Sequence, residues 1–119
     1  MLTKNEFLKL LGIPCHIKGF NYISDAIDIM DDDTLMGVVY IDVGKKRKET
    51  ASRVERAIRH AIEISYPSMP ENIKTFLFGN VYIENKPVNS LFIKTLKLIY
   101  ESPNELKKFE NLINNSNNG

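Results

Sequence analysis

Residues 50–63 have the sequence Thr50-Ala-Ser-Arg-Val-Glu-Arg-Ala-Ile-Arg-His-Ala-Ile-Glu63, which spaces apolar residues as in an amphipathic α-helix. The apolar face consists of Val54, Ala57, Ile58, Ala61 and Ile62. The opposite face consists of Ser52, Arg53, Arg56, Arg59, His60 and Glu63. An ordinary solvated helix has a similar pattern. The three guanidinium groups, each with several fixed N–H donors, also suit a helix that is pressed against an acidic partner.

The charge of the surrounding segment favours the second interpretation. Seven basic residues and two acidic residues lie between Lys45 and His60, although the whole chain carries a formal net charge of only +1. The rest of the chain, including Asp31-Asp-Asp33, is therefore net negative. A positive field confined to one segment of a nearly neutral protein is typical of proteins that bind a polyanion. Nucleic acid is the partner that this distribution favours.

Composition excludes several other classes. The 119 residues are 43% hydrophobic and 26% charged, which is typical of one globular domain. No apolar run is long enough to span a membrane and no signal peptide is evident, so we expect a cytoplasmic protein without a membrane partner. The single Cys15, with His16 and His60, provides neither a disulfide nor a metal site. No paired carboxylates, nucleophile–base set or phosphate-binding glycine loop indicates an enzyme, and no cofactor is expected.

Apolar periodicity and capping residues predict helices along the rest of the chain. Two are expected at about 3–11, after the Thr3-Lys-Asn-Glu6 capping box, and at 20–30. A third is expected from Thr34, with Asp33 as N-cap. Three more are expected from the Ser68-Met-Pro-Glu71 capping box to Phe78, from Pro87 to Tyr100, and at 104–113. Residues 38–41 also fit a strand, as does Val81-Tyr-Ile83, but neither has an evident partner strand. The sequence therefore predicts an all-α bundle of about six or seven helices. Residues 1–100 would form the domain, and 101–119 an additional short helix and a disordered polar tail.

Two neighbouring segments, 40–47 and 51–63, have the pattern of a helix-turn-helix. Such a motif needs a small residue where the helices cross, a tight turn, and a buried apolar residue early in the second helix. Gly44, the turn Lys48-Glu-Thr50 and Val54 provide these features. Arg47 and Glu49 occupy positions that are usually apolar or small, so we expect the first helix to be less firmly anchored.

The same segment resembles a known family. Thr50 to Glu63 is similar to the DNA-reading helix in the C-terminal effector domain of the stage 0 sporulation protein A family, the sporulation response regulators of endospore-forming bacteria. Four shorter matches lie in register with it: Gly12-Ile-Pro, His16-Ile-Lys-Gly, Leu77-Phe-Gly and Lys86-Pro-Val-Asn-Ser. Together they extend from about Leu8 to Leu96, which makes the resemblance specific.

The resemblance implies a double-stranded DNA-binding transcription regulator that reads short boxes, often as tandem or dimeric copies, and contacts the sigma subunit of RNA polymerase. Three residues would face base edges: Arg53, Glu55 and Arg56. Five would contact or support the DNA backbone: Lys18, Lys46, Ser52, Arg59 and His60. An arginine can donate to guanine O6 and N7, and a glutamate can accept from cytosine N4. Glu55 could instead complete a capping box with Ser52, and His60 could be an ordinary surface histidine.

The chain also departs from the family pattern. It is about four residues shorter between Gly37 and Tyr40, and after Tyr66 it matches mainly at Leu77-Phe-Gly79. No receiver domain precedes the first predicted helix, so we expect an excised effector domain or a free-standing relative, and the extra residues from Glu101 favour the latter. The alternative function is a helical protein-interaction module, in which the arginine face binds an acidic protein and modulates a full-length regulator or the transcription machinery.

Overall fold

A computed structural model describes the backbone of residues 1–80 and 85–118, and the side chains of residues 1–80 and 85–115. Within these residues the chain is all-helical, as predicted. The elements are α1 (Lys4–Leu10), α2 (Lys18–Ile29), α3 (Met36–Arg47), α4 (Ala51–Ser65), a 3-10 turn (Tyr66–Ser68), α5 (Glu71–Phe78), α6 (Asn89–Glu101) and α7 (Pro103–Asn118). Residues 38–41 are helical and not extended, whereas Val81-Tyr-Ile83 lies outside the described residues.

Local sequence explains where several helices begin and end. Thr3 accepts a hydrogen bond from the backbone N–H of Glu6, and the Glu6 carboxylate accepts one from the backbone N–H of Thr3. The predicted capping box at α1 is thus confirmed. These bonds hold the pKa of Glu6 below its usual value. At the end of α5, Gly79 has φ of 80° and ψ of 175°, a positive-φ conformation that glycine adopts without the steric cost of a side chain.

Two predicted caps are wrong. Asp33 does not cap α3, which begins two residues after Thr34 with Leu35 at the N-cap position. The Asp33 backbone N–H instead donates to the Asp31 carboxylate, which also accepts from the Thr34 hydroxyl, so the acidic run forms its own turn. Ser68 does not cap α5, because the chain first forms the 3-10 turn and α5 starts after Pro70 without a side-chain cap.

The core is built around α2, which packs against α1, α3, α4 and α6. Gly19, at the second position of α2, allows the closest of these contacts. A Cβ atom at Gly19 would lie 2.3 Å from the Ala57 carbonyl oxygen and 2.7 Å from the Ala61 Cβ atom, both on α4. The start of α2 therefore lies directly against the middle of α4 and supports it from behind.

The last helix belongs to the same core. It begins at Pro103 and continues to Asn118, beyond the predicted end near residue 113. Leu106 and Phe109 on α7 are buried, and the Phe109 ring packs edge-on against Phe7 of α1 with ring centroids 5.1 Å apart. This aromatic contact joins the two ends of the chain.

Candidate nucleic-acid interface

The turn between α3 and α4 has a defined backbone geometry. Lys48 adopts a left-handed conformation (φ 58°, ψ 49°), and the Glu49 backbone N–H donates to the Gly44 carbonyl oxygen at 2.8 Å. A Cβ atom at Gly44 would lie 2.5 Å from the Glu49 carbonyl oxygen, so a side chain there would collide with the turn. The Val54 side chain is fully buried in the first half of α4. The small residue, tight turn and buried apolar residue predicted for a helix-turn-helix are all present.

A buried carboxylate anchors the end of α3, contrary to the expectation that Arg47 would weaken it. Arg47 forms two bonds with Asp25 of α2, from Nε to Oδ2 at 2.6 Å and from Nη2 to Oδ1 at 3.0 Å. Lys46 Nζ donates to the same Oδ1 atom at 3.0 Å. Only 4% of the Asp25 side chain is exposed. Burial alone would raise the pKa of Asp25, but the hydrogen bonds and charges of Arg47 and Lys46 lower it below its usual value.

The helix α4 has the two faces that the sequence predicts. Its buried residues include four of the five predicted apolar positions, and Ala57 is half-buried. The residues on the opposite face are exposed: Ser52, Arg53, Arg56, Arg59, His60 and Glu63. The cationic face of α4 is therefore open to a partner along its whole length.

The three arginines of this face differ in their intramolecular contacts. Arg53 Nη1 lies 3.2 Å from Glu49 Oε1, and Arg59 Nη1 lies 3.6 Å from Glu55 Oε1. Among the described residues, Arg56 has no ion pair. Both pairs link side chains four residues apart in the sequence, and partly exposed pairs of this kind contribute at most about 1 kcal/mol. Each guanidinium group thus keeps most of its N–H donors available to a ligand.

The start of α4 excludes one of the two interpretations of Glu55, the capping box. Thr50 is the N-cap, and its hydroxyl accepts from the backbone N–H of Arg53 at 3.2 Å. Ser52 lies inside the first turn, so a capping box between Ser52 and Glu55 does not form. The Glu55 side chain instead lies along the helix beside Arg59 and is 34% exposed. Glu55 therefore remains available at the edge of the cationic face.

Residues from other elements adjoin this face. Lys18 is exposed at the first position of α2. The pKa of Glu49 is lowered mainly by a hydrogen bond from the Thr50 backbone, and the positive charge of Lys18 also contributes, which places Lys18 near the start of α4. Lys86 Nζ lies 3.8 Å from Glu63 Oε1 at the other end of α4. Of the two predicted backbone-contacting residues outside α4, Lys18 thus lies near the start of α4, while Lys46 is 57% exposed and tied to Asp25.

Lys86 is a candidate that the sequence reasoning missed, although the matched segment Lys86-Pro-Val-Asn-Ser contained the signal. With Arg59 it lines a cleft of about 360 Å³ between α3, α4 and the start of α6. Asn89 also lines this cleft, and its Nδ2 atom donates to the Tyr40 hydroxyl at 3.1 Å and to the Glu55 carbonyl oxygen at 3.2 Å. Burial is the main cause that raises the pKa of Tyr40, so its hydroxyl stays protonated.

The described part of the chain also bears on metal binding and on membrane crossing. No group of three or more His, Cys, Asp or Glu side chains there is arranged to hold a metal ion. None of the helices formed by the described residues combines the length and the apolar character that crossing a bilayer requires.

A helical domain with an exposed cationic helix after a short, glycine-dependent turn has the architecture of helix-turn-helix DNA-binding regulators. The family model described as Sporulation initiation factor Spo0A C terminal matches residues 5–99. The chain therefore belongs to this family of DNA-binding transcription regulators, as the resemblance predicted. The family consists of regulatory and not catalytic domains, and its partner is double-stranded DNA. The match ends within α6, so α7 lies outside it.

Proposed function

We propose that this chain is a sequence-specific DNA-binding transcription regulator that acts in the cytoplasm, on the nucleoid. The observation that carries the proposal is the exposed cationic face of α4, whose arginines have either a weak carboxylate partner or, within the described residues, none. An α-helix of this kind fits the major groove of B-DNA, where guanine offers two acceptors to one guanidinium group.

We assign base reading to Arg53, Glu55 and Arg56, which follow one another on the first half of α4. Arg56 is supported best, because no carboxylate in the described residues competes for its donors. Ser52, Arg59, His60, Lys18 and Lys46 would contact or support the DNA backbone, and we add Lys86 on the basis of its position beside Glu63. Phosphate contacts of this kind hold the protein in register without distinguishing sequences.

The central experiment starts from duplexes that the full chain selects from a random DNA pool. Arg56→Ala should weaken binding to the selected box by about 1–3 kcal/mol and reduce discrimination at one base pair. Lys18→Ala is the matched control, since it removes one positive charge from an exposed position near the same helix. It should weaken binding to all duplexes alike and lower the slope of log K against log salt by about one.

Equal losses on every duplex for Arg56→Ala would contradict the assignment of base reading. Lys46→Ala is a poorer control than Lys18→Ala, because it also removes one partner of the buried Asp25. Binding that depends only weakly on salt would contradict the proposed DNA contacts and favour the alternative protein-interaction module.

We further propose that copies of this chain occupy neighbouring boxes and contact the sigma subunit of RNA polymerase. The support is the resemblance, together with the family match, which includes α5 and the matching residues Leu77-Phe-Gly79. Footprinting on single and tandem boxes, followed by transcription with purified polymerase, tests both points. Occupancy of only one of two tandem boxes, or unchanged transcript levels, would contradict them.

A further inference from the structure

We infer that Glu49 is a positioning residue that orients the Arg53 guanidinium for base reading. This inference rests on the proposed function, because it assumes that Arg53 contacts a base. Glu49 occupies a position in the turn where helix-turn-helix motifs usually have a small or apolar residue. The structure gives this carboxylate a specific set of contacts.

The backbone at Glu49 is held on two sides. Its N–H donates to the Gly44 carbonyl oxygen, and its own carbonyl oxygen lies so close to Gly44 that no Cβ atom would fit there. The preceding residue, Lys48, is in the left-handed conformation that reverses the chain after α3. The direction in which the Glu49 side chain leaves the turn is therefore set by packing.

The carboxylate is fixed by two donors at the start of α4. Glu49 Oε1 accepts from the Thr50 backbone N–H and from Arg53 Nη1, each at 3.2 Å. Only 16% of the Glu49 side chain is exposed, compared with 72% of the Arg53 side chain. The hydrogen bond from the Thr50 backbone is the largest cause of the lowered pKa of Glu49, and the bond from Arg53 lowers it further. Glu49 is therefore ionised at neutral pH while it contacts Arg53.

This pairing leaves Arg53 enough donors to read a base. A guanidinium has five N–H groups, and the contact with Glu49 uses one of those on Nη1. Two donors suffice for guanine O6 and N7. The carboxylate precedes the N-cap Thr50, so it reaches Arg53 from the turn across the first turn of α4. Glu49 thus restricts the rotamers of Arg53 before DNA arrives, and less conformational entropy is lost on binding.

The test compares Glu49→Ala and Glu49→Gln in the full chain on a duplex selected by the unaltered protein and on its single-base variants. Glu49→Ala should reduce discrimination at the base pair read by Arg53 by about fivefold, the lower end of what one arginine–guanine contact provides. Glu49→Gln keeps an oxygen acceptor in the same place and should recover part of that discrimination. Glu63→Ala removes an equivalent charge from the exposed face of α4 and should change binding to all duplexes equally.

Arg53→Ala separates the positioning role from the proposed function. If Arg53→Ala changes discrimination at one base pair and Glu49→Ala in that background adds nothing there, the two residues act together. If Arg53→Ala changes discrimination but Glu49→Ala does not, the positioning role is refuted and the proposed function stands. If Arg53→Ala changes discrimination nowhere, its base-reading assignment fails. A uniform loss for Glu49→Ala with a lower melting temperature would show that Glu49 only stabilises the turn, which also overturns the inference.

Discussion

The close approach of α2 and α4 predicts a large loss of stability for Gly19→Ala. The added methyl group would lie 2.3 Å from the Ala57 carbonyl oxygen and 2.7 Å from the Ala61 Cβ atom. Neither atom belongs to a flexible side chain, so the two helices must separate to relieve the contact. Overpacking of this kind costs about 1–3 kcal/mol, and we expect a value near 3 kcal/mol because a backbone atom is involved.

The second position of α3 offers a matched control. Gly37 occupies the same position in its helix as Gly19 does in α2, but nothing lies within 4 Å of a Cβ atom added there. Gly37→Ala should therefore increase the free energy of unfolding by about 0.4–1 kcal/mol, because alanine reduces the conformational freedom of the unfolded chain. Gly19→Ala and Gly37→Ala should thus change the free energy of unfolding in opposite directions, although the two positions are equivalent in their helices.

Urea unfolding followed by circular dichroism measures the free energy of unfolding of both variants, and thermal unfolding measures their melting temperatures. For a chain of 119 residues, a change of 1 kcal/mol corresponds to roughly 4 °C in melting temperature, so Gly19→Ala should melt about 12 °C lower than the unaltered protein. Because α4 carries the cationic face, Gly19→Ala should also weaken DNA binding at temperatures where it remains folded. Equal stability of the two variants, within about 0.5 kcal/mol, would refute the close packing of α2 on α4.

Two further predictions concern stability. Asp25→Asn should lower the free energy of unfolding by about 2 kcal/mol at pH 7, since it weakens the bonds from Arg47 and Lys46. The pKa of Asp25 is lower in the folded protein, so this contribution is complete above the pKa of the unfolded chain, about 3.9, and is lost as the pH falls through the pKa of the folded protein. A difference in the free energy of unfolding between Asp25→Asn and the unaltered protein that does not shrink below about pH 4 would contradict this prediction. Phe109→Ala should lower the free energy of unfolding, measured by thermal unfolding, by about 3–5 kcal/mol, whereas Asn111→Ala, at an exposed position of the same helix, should change it by no more than about 0.5 kcal/mol. A small effect of Phe109→Ala would mean that α7 is not part of the core.

Periodic patterns in the sequence predicted the helices and the buried face of α4, because the same residues that repeat along the chain are those that pack in the core. Cap positions were predicted less well where two local hydrogen-bonding patterns competed. Asp33 was a plausible N-cap, but Asp31 bonds to the Asp33 backbone and to Thr34 and delays the start of α3 until Met36. A capping motif shows that a helix can start at a residue, but tertiary packing and neighbouring turns decide whether it does.

Long-range ion pairs could not be predicted from the sequence. Asp25 and Arg47 are separated by 22 positions, and no periodicity connects them. Arg47 therefore looked out of place at the end of the first helix of the motif, when in fact it binds a buried carboxylate on α2. Lys86 lies far along the chain from α4, and only the fold brings it next to Glu63. Sequence patterns predicted the reading helix, whereas the contacts that support and surround it depend on tertiary structure.

The ion pairs of the α3–α4 unit differ in strength between its buried side, where α3 packs on α2, and its exposed side, the cationic face of α4. This difference suits a reading helix. On the buried side, Asp25 is almost fully buried, so removing Arg47 would leave a buried carboxylate with Lys46 as its remaining partner, which is costly. On the exposed side, Arg59 Nη1 lies 3.6 Å from Glu55 Oε1, and a pair of this kind contributes at most about 1 kcal/mol. A hydrogen bond to a charged group contributes about 1.5–3 kcal/mol, so exchanging this pair for a DNA phosphate is favourable. The pair of Asp25 with Arg47 holds α3 in place, whereas the pair of Glu55 with Arg59 can open when DNA binds.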